Sequence, residues 1–226
     1  RLTFTARDAD YGNDFIDPVF DDSIRTLAAE ILANHADRWG GLGSLRASAT
    51  RGINIFDATR MGDPNKSRAT ASGEFTRFNI ELSRIQPLTE GLYVRVGAVA
   101  QLTDDSLLAS EEFGLGGVQY GRAYDPSEIT GDEGVAGKVE LFYTLPPQGF
   151  ATIEPYVYYE GGEVSQNEPL PGEPRRASLE SAGIGVRIGF NDRFGASIEY
   201  AQPLGRDVAA EGNDDGRFFF TLSAAF

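Results

Sequence analysis

From Gly43 onward, apolar and polar side chains alternate with a period of two, the pattern of strands with two unlike faces. In "RFFFTLSAAF", Phe218, Phe220, Leu222, Ala224 and Phe226 fall on one side, opposite Arg217, Phe219, Thr221, Ser223 and Ala225. In "LESAGIGVRIGF", Ala182, Ile184, Val186, Ile188 and Phe190 oppose Ser181, Gly183, Gly185 and Arg187. "GFATIEPYVYYEGG" sets Ile153, Pro155, Val157 and Tyr159 against Glu154, Tyr156, Tyr158 and Glu160. "GVAGKVELFYTL" sets Val139, Leu141 and Tyr143 against Lys138, Glu140 and Phe142. The stretches "DRFGASIEYAQPLG", "GLYVRVGAVAQL" and "FTRFNIELSRIQ" repeat the theme. The pattern predicts about ten antiparallel strands of roughly 9–12 residues, the length that spans a bilayer when tilted.

The connections alternate in length. Pro146-Pro147-Gln148-Gly149, Gln86 to Gly91 and Asn191-Asp192 read as tight turns, whereas Asp57 to Ser72, Gly161 to Ala177 and Pro203 to Gly216 are long and polar. Outer-membrane barrels show this asymmetry. The region from Asp8 to Asp37 carries a weaker pattern, with Asp17 to Asp22 reading as loop. "SIRTLAAEILANHAD" fits a helix striped by Ile24, Leu27, Ile31 and His35, or a strand with Leu27, Ala29, Ile31 and Ala33 outward. Strand is the reading adopted, because a lone helix would interrupt the run of hairpins.

The alternative architecture is a water-soluble β-sandwich. Against it, the polar faces carry Arg77, Glu81, Arg95, Glu140, Glu154, Arg187 and Glu199. A sandwich core would have to pair every one of them, whereas a hydrated lumen need not. A mean hydropathy of −0.28 does not oppose a barrel whose strands show lipid only one face.

Composition narrows the chemistry. With 20 basic and 34 acidic residues the net charge is −14, which excludes nucleic acid as a partner. There is no cysteine, so disulfides and thiolate metal sites are excluded. No run of 18 apolar residues predicts a membrane helix. Arg-Leu-Thr-Phe-Thr at the start lacks the features of a signal peptide and reads as strand interior, so upstream sequence is expected.

Enzyme chemistry finds little support. His35 is the only histidine and no Gly-x-Ser-x-Gly elbow exists. Gly114-Leu-Gly116 opens like a dinucleotide loop, but Gln119 stands where a third glycine is needed. Asp125, Glu128, Asp132 and Glu133 miss the spacing of a calcium loop and read as a solvated acidic loop. No cofactor or metal is expected.

One stretch exceeds what a hairpin needs: "FGLGGVQYGRAYDPSEITGDEGVAG", Phe113 to Gly137, with seven glycines. Extended to "GLGGVQYGRAYDPSEITGDEGVAGKVELFY", it resembles the two-partner secretion transporters, the haemolysin activation/secretion proteins of the outer membrane. "RASATRGINIF", "FTRFNIELSRIQPL", "VGAVAQLTDDSLLASEEFGLGG" and "RFFFTLSAAF" resemble the same family in the same order.

The resemblance implies an outer-membrane barrel of about sixteen strands in a Gram-negative bacterium, of which residues 1–226 are the C-terminal portion, with the periplasmic POTRA domains outside this chain. It implies a secreted exoprotein, such as a haemolysin or adhesin, as transport partner. It also implies an inward-folding loop, 104–134, with a latch motif at Gly121-Arg122-Ala123-Tyr124. Arg122 and Tyr124 match the family's Val-Arg-Gly-Tyr/Phe pattern; Gly121 and Ala123 depart from it. The implied wall partner is Glu160, with Gly162 as the accompanying glycine. Phe218, Phe220, Leu222 and Phe226 fit the terminal signal read by barrel-assembly machinery, and outer-membrane lipid is the expected surround. An assembly factor of the same superfamily and a passive pore are the alternative functions.

Overall fold

The computed structural model describes residues 1–13, 16–146, 149, 151–190 and 193–225, and the side chains of all of these except 11–13 and 16–19. Ten long strands follow one another as an antiparallel meander: β1 (Leu2–Asn13), β2 (Ile16–Ala36), β3 (Leu42–Gly52), β4 (Thr76–Thr89), β5 (Leu92–Leu102), β8 (Glu133–Tyr143), β9 (Ala151–Ser165), β10 (Arg176–Phe190), β11 (Phe194–Leu204) and β12 (Arg217–Ala224). Two short strands, β6 (Phe113–Leu115) and β7 (Ile129–Gly131), pair with each other inside the β5–β8 connection. Among the described residues, β1 and β12 form the two edges of the large sheet.

The period of two sets the faces. Phe78, Leu82, Val139, Val157, Ile184, Ile198, Phe218, Phe220 and Leu222 are exposed on one side. So broad an apolar face suits hydrocarbon rather than water. The opposite face carries Arg77, Glu140, Glu160, Arg187 and Glu199, and the long connections pack onto it. The buried side chains lie in that space instead of between two sheets. One cluster joins the β5–β8 connection to the wall through Phe113, Leu115, Tyr124, Ile129, Tyr156, Tyr158 and Leu179. A second gathers Ile24, Ala71, Phe75, Leu107 and Leu108.

Ser23 to Ala36 is strand, and β2 also takes in Asp17 to Asp22, the stretch that reads as loop. The pairs Asp10↔Asp21 and Ala9↔Asp22 bind it to β1. β2 meets β3 only from Thr26 onward, opposite Gly52, so the preceding residues rise past the end of β3. Their other edge is taken by the β3–β4 connection. Ile53 N donates to Arg25 O at 2.8 Å, Thr59 N to Ser23 O at 2.8 Å and Asp21 N to Asn65 O at 2.7 Å. A ribbon outside the apolar slab needs no alternation, which is why its sequence looks like loop.

The turn residues Pro147, Gln148, Asn191 and Asp192, and the terminal Phe226, lie outside the described residues. Phe218, Phe220 and Leu222 all point to the apolar side of β12.

Candidate functional site

The long connection runs over residues 103–132, because Glu133 and Gly134, expected inside it, already pair with Ser165 and Val164 of β9. The β6–β7 hairpin lies on the wall, and its far end folds into a compact tip. There Gly117 N donates to Gly121 O at 3.1 Å and Tyr124 N to Gly121 O at 2.9 Å. Gly121 has φ +88°, and a Cβ on it would come within 2.7 Å of Leu179 Cδ1. Glycine is therefore required at this position both by conformation and by space. Ala123 has no such backbone demand: it is absent from the positive-φ residues and is fully buried against the wall. Its methyl fills space where the family pattern has glycine.

This tip carries Arg122 into a ring of three carboxylates from three strands. Nη2 lies 2.9 Å from Glu140 Oε1 on β8 and 3.1 Å from Glu160 Oε2 on β9; Nη1 lies 3.1 Å from Glu199 Oε2 on β11. The guanidinium stacks on Tyr158 with Cζ 3.5 Å from the ring centroid. A planar fork with five donors suits this arrangement, since it offers edges to several carboxylates and a face to an aromatic ring. Burial by itself lowers the Arg122 pKa, but Glu160, then Glu199 and Glu140, outweigh it and hold the pKa above the usual arginine value.

Glu160 is the most enclosed member, with no exposed surface. Its Oε1 accepts from Gly121 N at 2.9 Å, Arg122 N at 2.5 Å and Ser181 Oγ at 2.9 Å. The carboxylate thus holds the backbone of the tip as well as the guanidinium. Glu199 is oriented by Tyr156, whose hydroxyl donates at 2.5 Å. Gly162, two residues along β9, touches no charge. A Cβ there would meet Leu115 Cδ1 at 2.8 Å, so this glycine leaves the gap that seats β6.

Tyr124 completes the motif. Its hydroxyl donates to Leu204 O at 3.2 Å and Arg206 O at 3.3 Å, tying the tip to the end of β11, and burial raises its pKa. Tyr124→Phe keeps the ring in place and removes one shared donor. A loss of about 1 kcal/mol in thermal unfolding is expected, with the tip still protected from protease; a freed tip would contradict this.

The structure thus brings Gly121, Arg122, Ala123, Tyr124, Glu160 and, through Leu115, Gly162 into one site; Phe218, Phe220 and Leu222 lie apart from it on the apolar face. Glu140 and Glu199 are further members. Alternation places both on the charged face, but only the register across β8 to β11 sets them in neighbouring rows, Glu140↔Tyr158↔Gly183 and Tyr156↔Gly185↔Glu199, within reach of one guanidinium. The loop acids are not uniformly solvated. Asp125 pairs with Arg217 at 2.9 Å, and Asp132 is completely buried. Among the described residues no group of His, Cys, Asp or Glu is arranged to hold a metal ion.

A family model described as "Haemolysin secretion/activation protein ShlB/FhaC/HecB" matches residues 21–188. "Outer membrane transporter CdiB" of Dickeya dadantii (strain 3937) is 26% identical over 183 residues, 78% of this chain and 32% of that protein. The protein of that name from Escherichia coli O6:K15:H31 (strain 536 / UPEC) is 28% identical over 175 residues, 75% of this chain and 29% of that protein. The solved structure of CdiB from Escherichia coli superposes with a TM-score of 0.75 at 21% identity, covering 92% of this chain and 38% of that one. The chain therefore spans about a third of the length of the curated relatives it matches.

Proposed function

Because this chain belongs to the haemolysin secretion/activation family, we propose that it forms the barrel wall and inward loop of a two-partner secretion transporter. The partner is a large exoprotein, of the haemolysin or adhesin kind, that crosses the outer membrane unfolded. The observation that carries this reading is the loop tip itself: a cationic side chain held on the lumen wall by carboxylates from β8, β9 and β11. A passive pore has no use for so expensive an internal contact. Desolvating four charged groups is costly unless their geometry is good. In this reading the tip is a latch that fixes the loop within the pore. Export in this reading draws on folding of the partner outside the cell.

The remaining partners follow from the surfaces. The apolar face of β12, with Phe218, Phe220 and Leu222, meets outer-membrane lipid and offers the terminal strand to barrel-assembly machinery. Phe226 belongs to the same signal.

The test expresses the full-length protein with the exoprotein encoded beside it and measures that exoprotein in the medium. Deleting 113–131 is expected to abolish secretion while the barrel still assembles, as read by heat-modifiable migration in gels. Continued secretion without the loop would refute the transport role of the site. Intact secretion combined with a general loss of other barrel proteins would favour an assembly factor.

A further inference from the structure

A second buried arginine lies outside the latch. Arg68 sits in the β3–β4 connection, and its side chain is almost fully enclosed. Its Nη1 lies 2.6 Å from Glu112 Oε1 and 2.9 Å from Asp132 Oδ1, and donates to Gln166 Oε1 at 2.8 Å. Its Nη2 reaches Glu168 O and Glu173 Oε2, each at 3.5 Å. These acceptors belong to both limbs of the long loop, Glu112 ascending and Asp132 descending, and to the β9–β10 connection. One guanidinium therefore joins three long connections on the same rim.

Asp132 makes this junction rigid. Its Oδ1 also accepts from Leu107 N at 2.7 Å, and its Oδ2 accepts from Asn167 N at 2.8 Å. Gln166 Nε2 in turn donates to Glu112 and Glu173, at 3.0 Å each. Next to it, Glu111 receives Arg7 from β1 and Arg77 from β4, at 3.0 and 2.9 Å. Those strands are three places apart in the sheet, about 14 Å at the usual strand spacing. For both arginines to meet one carboxylate, the segment bearing Glu111 must lie across the charged face of the wall. The long loop, one of the connections held by Arg68, thus crosses the charged face of the wall.

The bonding around Arg68 is uneven. Nη1 has three short partners, Nη2 has two long ones, and the buried Nε has none. Arg77 Nε, Ser106 Oγ and Ser110 Oγ nearby are also buried without a partner, so the closed arrangement is below its full strength. Arg68 and Arg122 share no ligand.

We infer that Arg68 is a positioning residue that clasps the outer connections over the lumen, a closure separate from the Arg122 latch which must open for a polypeptide to leave. The inference rests on the transport reading only for its purpose; the closure can be measured without cargo.

Ala109 N and Ser67 Oγ lie 3.0 Å apart, so the β3–β4 connection and the long loop touch at that point. Residues 1–226 contain no cysteine, so any other cysteine of the full-length protein is replaced before the pair is introduced. In the full-length protein, Ser67→Cys with Ala109→Cys is expected to form a disulfide that locks the clasp. In planar bilayers the oxidised pair should lose its opening events, and a reductant should restore them to the frequency of the unsubstituted protein. Arg68→Gln should open at least about tenfold more often, since removing one partner strands buried carboxylates. In both variants a spin label on the loop tip should remain immobilised. Unaltered openings in the oxidised pair, or in Arg68→Gln, would overturn the clasp. A mobile tip in Arg68→Gln would overturn its independence from Arg122. Failure of the transport reading looks different: openings that obey the clasp in a protein that secretes nothing.

Discussion

Replacing Arg122 with alanine in the full-length protein is expected to cut the exoprotein in the medium by at least about tenfold. The substitution removes the one cation shared by Glu140, Glu160 and Glu199 and leaves only Arg95, 3.8 Å from Glu140, near them; Glu140 and Glu160 are almost wholly enclosed. Breaking a buried pair costs about 3–5 kcal/mol. The lumen is hydrated, so only part of that applies; yet about 1.4 kcal/mol is already tenfold in the closed-to-released ratio. Arg122→Lys is expected to recover little. An ammonium is a point charge that cannot span three strands or lie flat on Tyr158. Glu199→Gln should be mild, because Arg122 keeps two carboxylates. Trypsin cleavage of the loop in intact cells gives the second readout. Undiminished secretion by Arg122→Ala, with the loop still protected, would end the latch reading.

Gly183→Val should be nearly as damaging without touching a charge. Gly183 sits under the platform that carries the guanidinium: a Cβ there would lie 2.5 Å from Tyr158 Cε1 and 2.3 Å from Tyr200 O. A valine must push the ring away or bend β10, at about 1–3 kcal/mol for such overpacking. The same strand and face supply the control. A Cβ added at Gly189 would have Thr152 Cβ as its nearest neighbour, at 3.9 Å, which is ordinary contact. Gly189→Val should leave both the unfolding temperature and loop protection unaltered, while Gly183→Val lowers the first by several degrees and abolishes the second. Equal behaviour of the two would show that Tyr158 is not the support of Arg122.

The wall is legible in the sequence because lipid on one side and a lumen on the other force a period of two. Phe218 and Arg217 are separated by that rule alone. The rule fails where its cause is missing: Asp17 to Asp22 belong to a ribbon beyond the end of β3, where Asp21 and Asp22 pair with β1 and Asp21 N bonds Asn65 O on the other edge, outside the slab, so their polar run reads as loop. Arg122 and Glu160 stand out through the family motif, not through alternation. Glu140 and Glu199 do not stand out, because charge on the right face says nothing of height along the wall. Asp132 shows the same limit. Arg68 lies 64 residues away in sequence, and no local pattern distinguishes a carboxylate that water solvates from one that a distant connection buries.

The ring around Arg122 has one further property. Three negative groups share Arg122, and among the described residues only Glu140 has a second ion-pair partner, Arg95 at 3.8 Å, so the socket without Arg122 keeps a negative excess. Any extended chain drawn along that wall would find lysine and arginine favoured there and aspartate and glutamate repelled. On the proposed transport function, the groups that hold the loop at rest would form, with the loop withdrawn, a charge-selective stretch of the conduit, indifferent to the order of residues in the passing chain but not to their sign.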